Sequence, residues 1–416
     1  MARKEPRLVW REGNYFELLE NGGEFFPALC EDIDEAQVSV HLETYIFNLD
    51  DTGRKVLDHL RRACERGVKV RVVIDGFGSF ENAHEIARLL EEMGVQVRIY
   101  RPEPMGLRRY RFSLRRYRFS LRRLRRLHRK VTVIDQQIGF VGGINIIDDL
   151  EDVPDDGQGP KPRFDFAVRV QGPVVQDLVK AQGDLWMRMA WRRRDDWGEF
   201  YQRLKGWRER RTRAVAENLP SFDPGMRATV LHRDNLRFRQ TIENVYIQAL
   251  ETARHDALIA NSYFFPGRRL KAALRRAARR GVRVRLLLQG RPEYAIQYRA
   301  CRSMYQNVLA AGIEIHEYQP SYLHAKVAVI DGCAMVGSSN MDPFSLLLAR
   351  ETNVFISDDG FAAELKAALE HELSNSCNRV TVQTNARHSW FERFFDGVSH
   401  FLLRVGVAIT GSSSEY

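Results

Sequence analysis

Two copies of the pattern His-x-Lys-x4-Asp hold the residues best suited to chemistry in this chain. The copies are His128, Lys130 and Asp135, and His324, Lys326 and Asp331. One imidazole can attack phosphorus as a nucleophile, while a second protonates the leaving alcohol and then deprotonates the incoming one. Two lysine ammonium groups supply the positive charge that phosphoryl oxygens require. Together the motifs predict phosphoryl transfer through a phosphohistidine at one shared site.

The alternating direction of side chains along a strand indicates which motif residues act together. Residues two apart on a strand face the same side, so each histidine projects with its lysine. Asp135 and Asp331 face the opposite side from the histidines and lie at the ends of their strands. We therefore expect these two residues of the catalytic motifs to be structural partners. A lone motif would be equally compatible with an ordinary buried or surface histidine. Two copies at matching places in two repeats favour catalysis.

Two acidic residues downstream of the motifs are candidates for orienting the imidazoles. The two roles need one neutral and one charged ring, although only about a quarter of free imidazole is charged at neutral pH. A carboxylate on the far ring nitrogen holds the tautomer and favours the charged form. Asp165 and Glu351 each begin an apolar strand after a motif, and the alternative is a strand-end acid that faces solvent. Asn145 and Asn340 supply amide donors for phosphoryl oxygens.

The elements that must position these residues occur twice along the chain. Residues 39–76 and 256–290 each read as an apolar strand, a basic amphipathic helix, a glycine-valine step and a Val/Leu-rich strand. A strand, a helix closed by glycine and a second strand predict parallel pairing in an α/β sheet. Each repeat continues into one motif, so we predict an α/β fold of two duplicated halves.

The repeats divide the chain into four predicted segments. They are a first half at 1–181, a helical connector rich in tryptophan and arginine at 182–218, a second half at 219–376 and an aromatic segment at 377–416. The last segment is too polar to span a bilayer. Its pattern is equally compatible with docking on the core and with contact to a membrane.

The composition narrows the class of partner and the compartment. The 416 residues carry a formal net charge of +10, which points to an anionic partner such as nucleic acid or anionic lipid. Five scattered cysteines without a CxxC pair argue against disulfides or a zinc site and favour a reducing compartment. The N-terminus has no apolar signal-peptide core, and no stretch approaches the roughly 20 apolar residues of a spanning helix. We expect a cytoplasmic protein, unless it lies on a membrane.

An arginine-rich stretch at 107–127 leads directly into the first motif. The heptad RRYRFSL occurs there twice in tandem, with leucine and tyrosine at helical spacing between the arginines. This pattern predicts an interfacial helix on anionic lipid, where each basic residue contributes about 1 kcal/mol. The membrane-binding candidates are Arg108, Arg115, Arg116 and Arg122. The alternatives are a solvated arm, stacking on nucleic-acid bases, or a recent duplication whose second copy has no role.

The paired motifs, each followed by small residues and an asparagine, resemble the phospholipase D superfamily. The segments GNYFELLENGGEFFPAL, HLETYIF, VVIDGFGS and GSSNMDPFSL further resemble bacterial cardiolipin synthases, most closely the shorter B type. The resemblance covers most of the chain. It implies two α/β/α sandwich halves related by a pseudo-twofold axis, with one shared active site.

The resemblance also implies an activity and a location. The activity is transphosphatidylation without a metal ion or cofactor, from one phosphatidylglycerol to another with release of glycerol. By this analogy His128 is the nucleophile and His324 the acid and base. The implied partners are anionic phospholipid and a membrane surface, with no nucleic acid. The implied location is peripheral, on the cytoplasmic side of the bacterial cell membrane.

Two positions depart from the family pattern. Gly143 stands where Ser338 provides a serine in the second half. Five residues separate Asp331 from Gly337, where six separate Asp135 from Gly142. A one-residue slip along a strand reverses every side chain. We therefore expect either a tighter turn at Gly332 and Cys333 or a different aim for Ser338 and Asn340.

Three functions remain compatible with the sequence. The first is a phosphatidyltransferase at a membrane face. The second keeps the chemistry but changes the substrate or acceptor, as a hydrolytic phospholipase D, a phosphodiesterase or a nuclease. The third is a basic membrane- or nucleic-acid-binding protein with a relic site. The intact histidines and lysines of both motifs argue against a relic, and the aromatic residues near the arginines argue against a nuclease.

Overall fold

A computed structural model gives the arrangement of most of the chain. It describes residues 8–102, 125–155, 157, 159–192, 219–234, 238–342, 345, 348–386 and 390–409. The membrane-binding candidates Arg108, Arg115, Arg116 and Arg122 lie outside the described residues, as does the connector from 193 to 218. The expectations for these two regions therefore stay predictions.

The first half alternates strands and helices, as its sequence pattern predicts. In chain order its elements are β1 (Arg11–Glu20), α1 (Asn21–Glu35), β2 (Ser39–Thr44), α2 (Asp51–Glu65), β3 (Lys69–Asp75), α3 (Ala83–Glu92), β4 (Gln96–Tyr100), β5 (Val131–Ile134), β6 (Ile138–Gly142), β7 (Phe166–Gln171) and α4 (Val175–Arg192). Asp50 caps α2 by accepting a hydrogen bond from the Gly53 N–H at 2.8 Å. Gly67 follows the helix at φ +85°, a backbone conformation that glycine adopts without strain.

The second half repeats this order. Its elements are β8 (Met226–Arg233), α5 (Thr241–Thr252), β9 (Asp256–Asn261), α6 (Arg268–Arg279), β10 (Arg283–Gln289), α7 (Ala295–Arg302), α8 (Tyr305–Leu309), β11 (Glu314–Tyr318), β12 (Lys326–Ile330), β13 (Cys333–Gly337), β14 (Glu351–Ser357), α9 (Asp359–Asn375), β15 (Cys377–Val380), α10 (Val382–Ala386) and α11 (Trp390–Ile409). The parallel pairs β2–β3 and β9–β10 confirm the pairing that the two strand–helix–strand repeats predict.

The strands of both halves join into one sheet. From the middle of this sheet towards either edge, corresponding strands follow in the same order. Among the described residues the order is β15-β11-β10-β9-β12-β13-β14-β8-β1-β7-β6-β5-β2-β3-β4. The antiparallel pair β1–β8 links the halves, and on either side the strand order repeats. Of the strands in the described parts of the chain, β15 alone has no counterpart in the first half. This mirrored order confirms the predicted α/β fold class of two homologous halves.

Helices and the opposite half cover the two faces of each half-sheet. Helices α1, α2 and α3 bury a cluster around Val40, Leu60 and Val72 on one face of the first half. On the other face Val131 joins Val327 of the second half in a shared core that includes residues of α4 and α9. Strands β6 and β7 also contact β13 and β14. Since both motifs lie on this shared side, the packing brings them towards one place.

Two of the predicted segment boundaries fall inside or beside regular elements. The boundary at 181 lies within α4, because that helix continues to Arg192 with Trp186 buried beneath the Arg98 guanidinium at 3.8 Å. Gln182 donates hydrogen bonds to the carbonyls of His41 and Val131 at 3.0 Å. Residues 182–192 thus pack as part of the first half. After residue 376, β15 extends the second half's sheet beside β11.

Candidate active site

The two motifs enter the site at corresponding places in the sheet. Lys130 immediately precedes β5, and Lys326 is the first residue of β12. Strand β5 pairs with β2 and β12 pairs with β9, so each motif borders the strand that begins its own half's repeat. Both lysines are buried, while each histidine keeps a small exposed fraction at the cleft.

Two short backbone bridges cross between the halves at the histidines. Leu127 pairs with Arg350 and Phe164 pairs with Leu323, both in parallel. The His128 N–H donates to the Arg350 carbonyl at 2.9 Å, and the His324 N–H donates to the Phe164 carbonyl at 2.8 Å. His128 therefore lies beside Arg350, the residue before Glu351. His324 likewise lies beside Phe164, the residue before Asp165.

His128 is held from both sides of its ring. Its Nδ1 lies 3.0 Å from Glu351 Oε1 and 3.2 Å from the Ser338 carbonyl oxygen. Both neighbours are acceptors, so we assign the Nδ1 proton to this side. Nε2 lies 3.1 Å from Lys130 Nζ, which places a donor on its lone pair. The tautomer that these contacts favour leaves Nε2 unprotonated and directed towards the lysine.

His324 makes the corresponding contact with the first half. Its Nδ1 lies 2.6 Å from Asp165 Oδ2. Lys326 Nζ lies 3.7 Å from the same carboxylate oxygen and also donates to the His324 carbonyl. The two lysines thus differ in position, since Lys130 contacts an imidazole nitrogen and Lys326 lies beside a carboxylate. The structure pairs each candidate carboxylate with the histidine of the opposite half.

Burial shifts the pKa of five groups in this centre towards the neutral form, and these groups are His128, His324, Lys130, Lys326 and Asp165. It lowers the pKa of His128, with Glu351 offsetting part of the effect. It lowers the pKa of His324 further, because both lysine ammonium groups add to it. Burial and the charge of Lys326 bring the pKa of Lys130 to about 7, and burial brings that of Lys326 to about 8. Burial also raises the pKa of Asp165 to about 6. Cations so close together favour an anionic ligand.

The Gly143 departure has a steric cause in this arrangement. A Cβ added at Gly143 would collide with both oxygens of the Asp165 carboxylate. At the matching position Ser338 fits, and its Oγ donates to Glu351 Oε2 at 2.5 Å. The longer glutamate leaves room for a serine where the aspartate does not. The two halves therefore support their carboxylates differently.

The second motif has one residue fewer after its aspartate than the first, and this difference lies in the turn between β12 and β13. Three residues separate Ile134 from its partner Ile138, whereas two separate Ile330 from its partner Cys333. Beyond the turn the registers agree again, with Val131 opposite Val141 and Val327 opposite Val336. The shorter turn at Asp331 and Gly332 thus keeps the side-chain directions of the following strand.

Asp135 and Asp331 lie at the opposite ends of their strands from the histidines. Asp135 accepts hydrogen bonds from the backbone N–H groups of Gln37, Val38 and Ser39 at 2.7–2.8 Å. Asp331 accepts from those of Arg254, His255 and Asp256 at 2.8–3.1 Å. Each aspartate therefore stabilises the start of a neighbouring strand and does not line the cleft.

Asn145 and Asn340 both reach the cleft that contains the histidines. Asn145 Oδ1 accepts a hydrogen bond from the Ile46 N–H at 3.2 Å, which leaves its amide nitrogen as the donor. Asn340 Oδ1 is buried and has no hydrogen-bond partner in the described structure. Their proposed part in binding phosphoryl oxygens stays a prediction.

The cleft between the halves has a cavity volume of about 910 Å³. Among the lining residues that the motifs did not reveal are Phe77, Arg126, Asp149, Arg163, Tyr263, Glu293, Tyr294, Tyr322 and Asp342. Glu293 connects two of them, since it accepts from the Tyr263 hydroxyl at 2.8 Å and lies 3.6 Å from Arg163. The sequence held a signal for Tyr263 and for Tyr45, another lining residue, because each is the aromatic residue after its repeat's first strand, and for Arg126, which belongs to the arginine-rich stretch.

In the parts of the chain that are described, no three His, Cys, Asp or Glu residues are grouped so that they could hold a metal ion. None of the described helices combines the length and hydrophobicity needed to cross a membrane.

Comparisons with known proteins agree with this geometry. The family profile described as "Cardiolipin synthase, PLD-like domain" matches residues 29–149 and 246–373. Cardiolipin synthase B of Salmonella typhimurium (strain LT2) is 38% identical over 405 residues, which cover 97% of this chain and 91% of that protein. Cardiolipin synthase B of Escherichia coli (strain K12) is 36% identical over 414 residues, with the same coverage of both chains.

Solved structures share the fold at low sequence identity. Phosphatidylserine synthase of Haemophilus influenzae Rd KW20 has a TM-score of 0.65 at 13% identity, covering 96% of this chain and 95% of that one. Polyphosphate kinase of Porphyromonas gingivalis has a TM-score of 0.54 at 14% identity, covering 93% of this chain and 53% of that one. Since the family profile matches more than half of its residues, the chain belongs to the cardiolipin synthase family of phospholipase D-like proteins.

Proposed function

We propose that this chain joins two phosphatidylglycerol molecules into cardiolipin and releases glycerol, through a phosphohistidine intermediate. Membership of the cardiolipin synthase family makes it a phospholipid-transferring enzyme. The observation that carries the proposed mechanism is the convergence of two histidine–lysine pairs on one cleft, each imidazole held at Nδ1 by a carboxylate. This arrangement supplies one nucleophile and one proton carrier.

In the first step His128 attacks phosphorus. The favoured tautomer has a lone pair on Nε2, which lies 3.1 Å from Lys130 Nζ. The Nε2–P bond forms as the bond from phosphorus to the glycerol headgroup oxygen breaks, and His324 donates its Nε2 proton to that oxygen. The lysines and asparagine amides bind the charged phosphoryl oxygens. Glycerol leaves, and the phosphatidyl group stays on His128.

In the second step the headgroup hydroxyl of another phosphatidylglycerol enters. His324 Nε2 takes its proton, the hydroxyl oxygen attacks phosphorus, and the P–N bond to His128 breaks. This returns both histidines to their starting states. Burial and nearby cations lower the pKa of His324 and so favour its neutral ring. The negative phosphodiester offsets those cations and favours the imidazolium form that donates the proton.

We also propose that the enzyme acts from the cytoplasmic side of the cell membrane, as a peripheral protein. Its substrates in this proposal are membrane lipids, and the net charge of +10 favours an anionic surface. The arginine-rich stretch at 107–127 is one proposed attachment. A second is argued below from described residues.

Lipid mass spectrometry of the purified full chain tests the reaction. Incubation with detergent-dispersed phosphatidylglycerol and a chelator should give cardiolipin and glycerol in equal amounts. His128→Ala and His324→Ala should each lower the rate by roughly a thousandfold or more. The matched control, His371→Ala, changes an exposed histidine on α9 and should keep the rate. Phosphatidic acid as the main product, or cleavage of DNA without any change in lipid, would contradict the proposal.

The assignment of the two histidines has its own test. His324→Ala should accumulate a phosphatidyl adduct on His128 when it meets a phosphatidyl ester of p-nitrophenol, because this leaving group needs no acid in the first step while the second step still lacks its base. Peptide mass spectrometry after an alkaline quench locates the modified histidine. An adduct on His324 in the His128→Ala variant would reverse the assignment.

A further inference from the structure

Helix α11 turns its apolar side away from the protein. Phe394, Phe395, Val398, Phe401 and Leu402 are all exposed, and Phe401 is 65% exposed. These positions are three and four residues apart, so they form one stripe along the helix. Val405 continues the stripe by a further turn. An exposed apolar stripe of this length on a soluble protein marks a site of interaction.

On the opposite side of α11, the side chains that the structure describes are polar and dock on the second half. Asp396 and Ser399 are buried, and Asp396 lies 4.0 Å from the Arg299 guanidinium of α7. His400 Nδ1 lies 2.8 Å from Ser303 Oγ, while the His400 ring packs on Phe265 with centroids 5.0 Å apart. A surface helix of a soluble protein ordinarily buries its apolar side and exposes its polar side. In α11 that orientation is reversed.

The element that holds α11 also borders the active-site cleft. Helix α7 packs against α11, and α7 and the residue before it provide Gln297 and Tyr294 to the cleft lining. Tyr294 is exposed, as is its neighbour Ile296. Across the cleft Phe77 is another exposed lining residue. Exposed apolar side chains therefore occur both on the cleft lining and on the helix beside it.

Positive charge accompanies the stripe. Arg404 is exposed on α11, and its charge contributes to lowering the pKa of Lys271 after the main effect of burial. An apolar stripe with flanking cations is the pattern of a helix that lies in the interface of an anionic bilayer. A protein partner on Tyr294 and Phe77 would cover the lining of the cleft, whereas a bilayer there would supply lipid to it.

We propose that the outward stripe of α11, together with Phe77, Tyr294 and Ile296, docks on an anionic lipid bilayer and holds the cleft at the lipid surface. This inference rests on the proposed function in one respect, namely that the substrate of the cleft is a membrane lipid. It assigns the C-terminal aromatic segment to both of the roles that its sequence left open. The polar side docks on the core, and the apolar side contacts the membrane.

Co-sedimentation with vesicles of phosphatidylglycerol and phosphatidylcholine in equal amounts tests the surface. The double variant Phe394→Ser/Phe401→Ser removes apolar area without changing the charge. We expect its vesicle affinity to fall by about tenfold or more. The control Val38→Ser removes a side chain that is 60% exposed at the far end of β2 from Tyr45, and it should bind as the wild type does. Binding of the double variant equal to the control would overturn the proposal.

Insertion is measured directly by a tryptophan placed on the stripe. The sequence has six tryptophans of its own, so the quenching by brominated lipid in the same vesicles is measured relative to the wild type. The tryptophan added in Phe401→Trp should be quenched, and the one added in Val38→Trp should not. Equal quenching at both positions would overturn the proposal. So would a change of oligomeric state in the double variant, since the stripe would then be covered by a second copy.

Activity separates this proposal from the proposed function. The double variant should keep the wild-type rate on detergent-dispersed phosphatidylglycerol and lose about tenfold or more on vesicles. A wild type inactive on dispersed phosphatidylglycerol would contradict the proposed reaction, while the vesicle-binding and quenching results would still decide whether α11 contacts lipid.

Discussion

His324 Nδ1 lies 2.6 Å from the Asp165 carboxylate, although the two residues belong to different halves of the chain. The reciprocal pair, His128 and Glu351, is 3.0 Å apart. The backbone bridges at Phe164 and at Arg350 hold each carboxylate beside the opposite histidine. Neither half alone can therefore orient its own imidazole, and the duplicated fold makes one site out of two incomplete ones.

This crossing predicts the effect of removing one carboxylate charge. Asp165→Asn should lower kcat by about 10²- to 10⁴-fold, because the amide no longer fixes the His324 tautomer or stabilises its charged form. KM for phosphatidylglycerol should stay within about twofold, since Asp165 contacts the imidazole and not the lipid. Steady-state kinetics on dispersed phosphatidylglycerol measure both. The surface variant Asp58→Asn on α2 serves as control, and a change in KM alone would contradict the orienting role.

The unequal support of the two carboxylates predicts unequal tolerance at Gly143 and Ser338. Gly143→Ala should lower kcat by about a hundredfold, because the new Cβ displaces the Asp165 carboxylate from His324. Ser338→Ala removes the hydrogen bonds that Oγ makes with Glu351 and with the backbone of Thr352 but introduces no clash, at a cost of about tenfold or less. Kinetics and thermal unfolding of both variants distinguish lost orientation from lost folding. Equal losses would show that the steric argument is wrong.

The sequence could predict each half of the site but not their crossing. The period-two pattern in the motif strands indicated that His128 projects with Lys130, and the repeats indicated the parallel strands beside them. The pairing of Asp165 with His324 depends on how two half-sheets pack, and no local pattern encodes a contact between residues so far apart. The natural expectation, a carboxylate serving the motif it follows, therefore misses the exchange.

Local sequence patterns also did not predict how the start of the connector and the C-terminal helix pack on the rest of the protein. The Trp/Arg composition after residue 182 indicated a linker, yet Trp186 is buried because it packs under the Arg98 guanidinium. For the segment that forms α11, the sequence left docking on the core and contact with a membrane equally open. Hydrophobicity alone could not indicate which face docks, because polar contacts from Asp396 and His400 hold it on α7 and the adjacent residues.

The shifted pKa values predict a narrow pH profile for kcat/KM. Asp165 must be ionised to orient His324, so the rate should fall as the pH drops below its raised pKa of about 6. Lys130 must be charged to bind the phosphodiester, so the rate should fall as the pH rises above its lowered pKa of about 7. Rates on dispersed phosphatidylglycerol from roughly pH 5 to roughly pH 9 measure both limbs for the free enzyme. A flat profile over this range would contradict the requirement for both charges.

The position of Asp331 predicts that its loss affects folding more than chemistry. Its carboxylate accepts three backbone N–H groups at the entry of β9. Asp331→Asn should therefore lower the free energy of unfolding by about 1–3 kcal/mol. The kcat of the folded fraction should stay within about threefold of the wild type. Urea unfolding and kinetics corrected for the folded fraction measure the two quantities.

Acid provides a second check on the same residue. Partial burial opposes ionisation of Asp331, but the N–H groups of Asp256, Arg254 and His255 outweigh it and hold the pKa below its ordinary value. A lowered pKa means that the charge stabilises the fold above the unfolded pKa and that this stability is lost as the pH falls through the folded one. The difference in unfolding free energy between wild type and Asp331→Asn should thus shrink in acid. His324→Ala should show the opposite pattern, with stability kept and activity lost. Full stability with lost activity in Asp331→Asn would place that aspartate in the chemistry after all.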